Sequence, residues 1–105
     1  MFRTRIVNEM KTGPNFAGRY AIIEIGCGTG CRNTFIGDVS NGRVYRFPYG
    51  GEEYSMLNLT YNVKSNYITA KWVDDDRCIT ELLEWNGSIF KAVSRNVRKD
   101  PSDCY

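Results

Sequence analysis

Cysteines and carboxylates are the residues whose type and spacing bear most directly on chemistry here. The cysteines are Cys27, Cys31, Cys78 and Cys104. An even count permits two disulfides in three connectivities, and spacing does not choose among them. Structural zinc needs two tight ligand pairs. Cys27 and Cys31 are close enough, but Cys78 and Cys104 lie 26 positions apart, so a metal site is not expected. Histidine is absent, which removes the commonest general base, metal ligand and activator of a thiol nucleophile. The cysteines therefore read as thiols or disulfides. A reducing cytoplasm would keep all four free, whereas an oxidising compartment would bridge Cys27, Cys31 and Cys78 in some pairing.

The carboxylates cluster in two places, Glu52-Glu53 and Asp74-Asp75-Asp76. The aspartates lack the spacing and the bidentate glutamate of a calcium loop. On two exposed turns, the five residues are expected to form an anionic face that meets a basic protein. Tyr49, Tyr54 and Tyr61 lie in or near the least regular stretch and are the contact candidates, Tyr49 and Tyr54 above all. Trp72, Trp85, Phe35, Phe47 and Phe90 sit within strand patterns and are expected in the core. Asn58-Leu59-Thr60 and Asn86-Gly87-Ser88 match the glycosylation pattern but fall in predicted strand or turn. The formal net charge of +2, with scattered basic residues, argues against a direct nucleic-acid or membrane footprint. No apolar run approaches the ~18–20 residues a membrane helix needs.

One segment imitates a cofactor site. Ile22-Ile23-Glu24-Ile25-Gly26-Cys27-Gly28-Thr29-Gly30 matches the first motif of S-adenosylmethionine-dependent methyltransferases. That chemistry needs a helix after the glycines and a parallel sheet behind them. Here a hairpin pattern follows, and 105 residues are too few for such a sheet. No cofactor and no catalytic residue are expected.

The elements that must position these residues follow from periodicity. Residues 2–11 read as one short helix, with Phe2, Ile6, Val7 and Met10 on one face and Gly13-Pro14 stopping it. From Tyr20 the period becomes that of strands: 20–25, 34–39, 44–47, 67–73, 78–85 and 88–93, with a weaker run at 56–61. Asn41-Gly42 and Asn86-Gly87 are hairpin signals, because type I′ turns need positive φ at both central residues. Residues 95–105 read as a loose tail. The apolar fraction of 42% and charged fraction of 25% are those of a folded globule, and the length is that of one domain, residues 1–105. The expected fold is mainly β: an antiparallel six-stranded meander across 20–93, forming a small sandwich or half-barrel with one short N-terminal helix.

Gly13-Pro14-Asn15-Phe16-Ala17-Gly18-Arg19-Tyr20, then Gly26-Cys27-Gly28-Thr29-Gly30-Cys31, resembles a family of small bacterial proteins of unassigned function. The hairpin Asp38 to Tyr45 and the turn Trp85-Asn86-Gly87 extend the resemblance over about residues 2–93. Arg19 stands where the family usually has histidine. Many members carry signal peptides and look periplasmic, and the pattern supplies no catalytic residues. This chain opens Met1-Phe2-Arg3-Thr4-Arg5 without an apolar signal region. The expectation is a cytoplasmic, non-catalytic immunity protein that blocks a toxin domain, plausibly an RNase, of a contact-dependent growth inhibition system. Its alternative is a disulfide-stapled periplasmic domain, if a signal peptide has been removed.

Overall fold

The computed structural model describes residues 2–28, 31–51 and 53–104. Helix α1 (Phe2–Met10) is followed by strands β1 (Tyr20–Gly28), β2 (Cys31–Asp38), β3 (Val44–Arg46), β4 (Ser55–Thr60), β5 (Tyr67–Asp74), β6 (Arg77–Trp85) and β7 (Phe90–Arg98). A 3-10 turn, η1 (Pro101–Cys104), ends the described chain. The strands form two antiparallel meanders, β1-β2-β3 and β4-β5-β6-β7. The architecture is a two-sheet sandwich of seven strands, one more than expected, and neither sheet closes into a barrel. The added strand is β4, whose pattern a bulge between Ser55 and Asn58 obscures.

The sheets pack through alternating inward residues. Tyr20, Ile22, Ile36 and Phe47 of the first sheet side meet Leu59, Ile68, Ala70, Trp72, Ile79, Leu83 and Trp85 of the second. Burying each large apolar side chain contributes roughly 1.5–3 kcal/mol. On the first sheet's other face, α1 sets Ile6 against Ile23 and Ile25. Gly37 makes this approach possible, since a Cβ there would lie 2.7 Å from the Met10 sulfur. Val7, placed on the apolar face by the sequence, is instead 45% exposed.

Residues 15–18 clamp the two sheets together. The Asn15 amide brackets the Ile22 backbone, accepting its N–H at 2.7 Å and donating to its carbonyl at 3.3 Å. Phe16 is fully buried in the inter-sheet core. Ala17 and Gly18, both at positive φ, donate backbone N–H groups to Ser65 and Val63 carbonyls in the β4–β5 connection. This part of the family-like motif thus has a structural use.

Both Asn-Gly pairs lie in hairpin connections, but the turns are not two-residue type I′. Four residues, 86–89, join β6 to β7, and only Gly87 of the pair has positive φ. Asn86 instead accepts backbone N–H groups from Ser88 and Ile89 through its side chain. Asn41 likewise holds the Arg43 N–H while Gly42 takes positive φ.

The C-terminal region departs most from expectation. β7 runs on to Arg98, and Cys104 is disulfide-bonded to Cys78 on β6. The tail is therefore a docked strand end and turn. Cys31 is also disulfide-bonded, and the Cys27 side chain lies outside the described residues.

Candidate functional site

The glycine-rich segment joins two antiparallel strands. β1 and β2 pair antiparallel on either side of it, with Gly28 opposite Cys31, so a strand follows where the methyltransferase motif demands a helix. Among the described residues, no three His, Cys, Asp or Glu side chains converge on a metal position.

The acidic turns and loop tyrosines do come together. The loop from β3 to β4 crosses between sheets and is pinned to the first sheet by its own backbone. Phe47 donates to the Thr34 carbonyl at 2.9 Å, and Gly51 to the Arg32 carbonyl at 2.9 Å. Gly50 passes so close to that carbonyl that a Cβ would sit 3.0 Å away. This anchoring sets Tyr49 over the end of the second sheet. Tyr49 and Tyr54 stack at 4.8 Å between centroids, with planes 11° apart. Each also meets the Trp72 ring at 5.1 Å. Three rings from a loop and a central strand thus form one rigid block.

Beside the block opens a cleft of about 690 Å³, lined by Glu53, Tyr54, Trp72, Asp74, Asp75 and Arg95 among others. Glu53 arrives from the β3–β4 loop, and Asp74 and Asp75 from the β5–β6 turn. Asp75 takes φ 55°, a left-handed conformation aspartate tolerates, and this makes the tight reversal. Asp76 is exposed on the same turn outside the cleft lining. Glu52 lies outside the described residues. Tyr61 is elsewhere, packed edge-on against Phe16 with its hydroxyl 3.4 Å from Glu24.

Sequence reasoning missed the buried carboxylate that holds the cleft residue Arg95. Glu81 is 2% exposed on the inward face of β6. It accepts hydrogen bonds from the Arg95 Nε at 2.7 Å and from the Tyr49 hydroxyl. A buried carboxylate is tolerable only with such partners. Burial, and then the hydrogen bond to Glu81, push the Tyr49 hydroxyl up to about 12, so it remains a protonated donor at physiological pH. The Arg95 guanidinium also lies 5.8 Å from the Trp72 ring centroid.

Charge at the mouth is negative. Glu53, Asp74 and Asp75 face one guanidinium that Glu81 already occupies. Arg77 offsets Asp74 only weakly, at 3.6 Å with both side chains nearly half exposed. Such an arrangement suits the binding of a cationic group: an aromatic wall of Tyr54 and Trp72 beside the carboxylates of Glu53, Asp74 and Asp75.

Comparison with family models, curated proteins and solved structures returns no match to this chain.

Proposed function

We propose that the chain is a non-catalytic binding protein that seats a basic protein surface against the cleft beside Tyr49 and Tyr54. We further propose that the partner is a toxin domain, in the first instance an RNase, of a contact-dependent growth inhibition system. One observation carries this reading: carboxylates from two separate turns meet on a single pre-formed aromatic block. Nuclease sites are basic because they hold phosphate, and a carboxylate-rimmed cleft is electrostatically complementary to such a site. Rigid stacked aromatics lose little freedom on binding and serve as anchors. Inhibition then follows from covering the nuclease site.

Co-expression with the toxin domain from the same locus tests this. Wild type should protect the cells, and E53K/D75K should protect less while keeping its fold. Failure of the wild type to protect removes the toxin-blocking reading.

A second reading is a disulfide-stapled envelope domain. The Cys78–Cys104 and Cys31 disulfides favour it, because such bonds persist in oxidising compartments and are reduced in the cytoplasm. The two readings share the cleft and differ in compartment. Alkylating free thiols in intact cells separates them. Labelling of all four cysteines after denaturation supports a cytoplasmic inhibitor, and protection supports the envelope domain. Among the described residues, no helix is long and apolar enough to cross a membrane.

A further inference from the structure

The second sheet has an outer face, turned away from the inter-sheet core and from the cleft's aromatic wall. Antiparallel register places four of its polar residues in one straight row. Asn58 on β4 pairs with Lys71 on β5, Lys71 pairs with Thr80 on β6, and Thr80 pairs with Asn96 on β7. At about 4.8 Å per strand the row spans roughly 14 Å. Thr60 and Thr69, themselves a cross-strand pair, flank it on one side, and Arg98 flanks it on the other. These seven side chains and the buried Cys78, whose disulfide to Cys104 docks η1 against this face, line a shallow groove of about 460 Å³.

The seven polar side chains are all at least partly exposed. None makes a side-chain hydrogen bond or ion pair among the described residues. Lys71 and Arg98 are the charges lining the groove, and no carboxylate lines it. The closest carboxylate along β6 on this face is Glu84, separated from Thr80 by Leu82 and already accepting the Tyr67 hydroxyl at 3.1 Å. Neutral amides and hydroxyls in a fixed row, with a cation within it and another beside it, complement a chain of hydroxyls bearing anionic groups. No aromatic ring lines the groove, so it lacks the stacking platform single-stranded nucleic acids use. It also lacks the apolar anchors of a protein hot spot.

We infer that the outer face of the β4–β7 sheet is a binding site for an anionic saccharide, a short polyhydroxylated chain carrying sulfate, phosphate or carboxylate. Asn58, Thr80, Asn96, Thr60 and Thr69 exchange hydrogen bonds with its hydroxyls, and Lys71 and Arg98 pair with its anions. The site lies on a different face from the proposed cleft and does not depend on it.

The test is calorimetric titration of the intact, oxidised protein with a size-defined heparin tetrasaccharide. Parallel arms use cellotetraose, inorganic sulfate and a single-stranded oligonucleotide. The tetrasaccharide should bind at least about tenfold tighter than any other arm, with an affinity that falls as salt rises. K71Q/R98Q should weaken it at least about tenfold, and N58A/N96A should weaken it at low and high salt alike. Thermal unfolding of both variants should match wild type, since these side chains make no hydrogen bond or ion pair among the described residues. Failure of the tetrasaccharide to bind at millimolar concentration overturns the inference. So does undiminished binding by both variants, or tighter binding of the oligonucleotide.

Discussion

Removing the Cys78–Cys104 disulfide tests the docked C-terminus. The two cysteines are 26 positions apart, and C78A/C104A deletes the bond without burying a hydroxyl at the core position 78. Cross-linking a loop of that length removes ~12 cal/mol/K of chain entropy from the unfolded state, or ~3.5 kcal/mol at 25 °C. Contacts of η1 with β5 and β6 should be lost as well when the turn is released, so the same direction follows from the folded state. Urea unfolding followed by tryptophan fluorescence is a suitable assay, since Trp72 and Trp85 are both buried. With a slope of ~1.5 kcal/mol/M, the midpoint should fall by about 2 M. A fall below about 0.5 M would refute the reasoning, because the last residues would then move freely in the native state as well.

Arg95→Met strands the Glu81 carboxylate with only the Tyr49 hydroxyl and should cost about 2 kcal/mol in urea unfolding; E81L/R95M should recover most of that loss. Asp38 is 2% exposed and held below its ordinary value of 3.8, first by the Ser40 hydroxyl at 2.6 Å and further by Arg19. Its contribution is present above the unfolded pKa and lost as pH falls through the lowered folded one, so Asp38→Asn should flatten the stability slope below about pH 4. Met56 sits at the β4 bulge with φ 59° and is 47% exposed; relieving that backbone strain by Met56→Gly should raise stability by about 0.5 kcal/mol, read as a higher midpoint.

The sheets were legible where burial alternates. Ile68, Ala70 and Trp72 point inward on β5, with less buried residues between them, and the strand lies where its pattern predicts. The sequence pattern of β7 ends early because its last eight residues are all exposed, and an edge strand without a buried phase looks like a tail. The Asn-Gly pairs located the hairpins but not their length, since the asparagines act through side-chain hydrogen bonds. Within the candidate site, charge and aromatic composition picked out Glu53, Asp74, Asp75, Tyr49 and Tyr54. The strand pattern puts Trp72 in the core, where it is buried, and its ring also forms the cleft wall. Glu81 had a usable signal: it shares the inward phase of Ile79, Leu83 and Trp85, and a carboxylate there needs a cation from the neighbouring strand. Cys104 offered none, because only the folded turn after β7 brings it to Cys78.

The association rate of the protein with the toxin domain, for wild type and E53K/D75K at low and physiological ionic strength, tests the central claim most directly. Electrostatic steering speeds association by about 10–1,000-fold and fades with salt. The account predicts at least a tenfold slower rate for the variant at low ionic strength, with the gap narrowing as salt rises. Equal rates at both ionic strengths would contradict it and leave the cleft carboxylates as solvated surface.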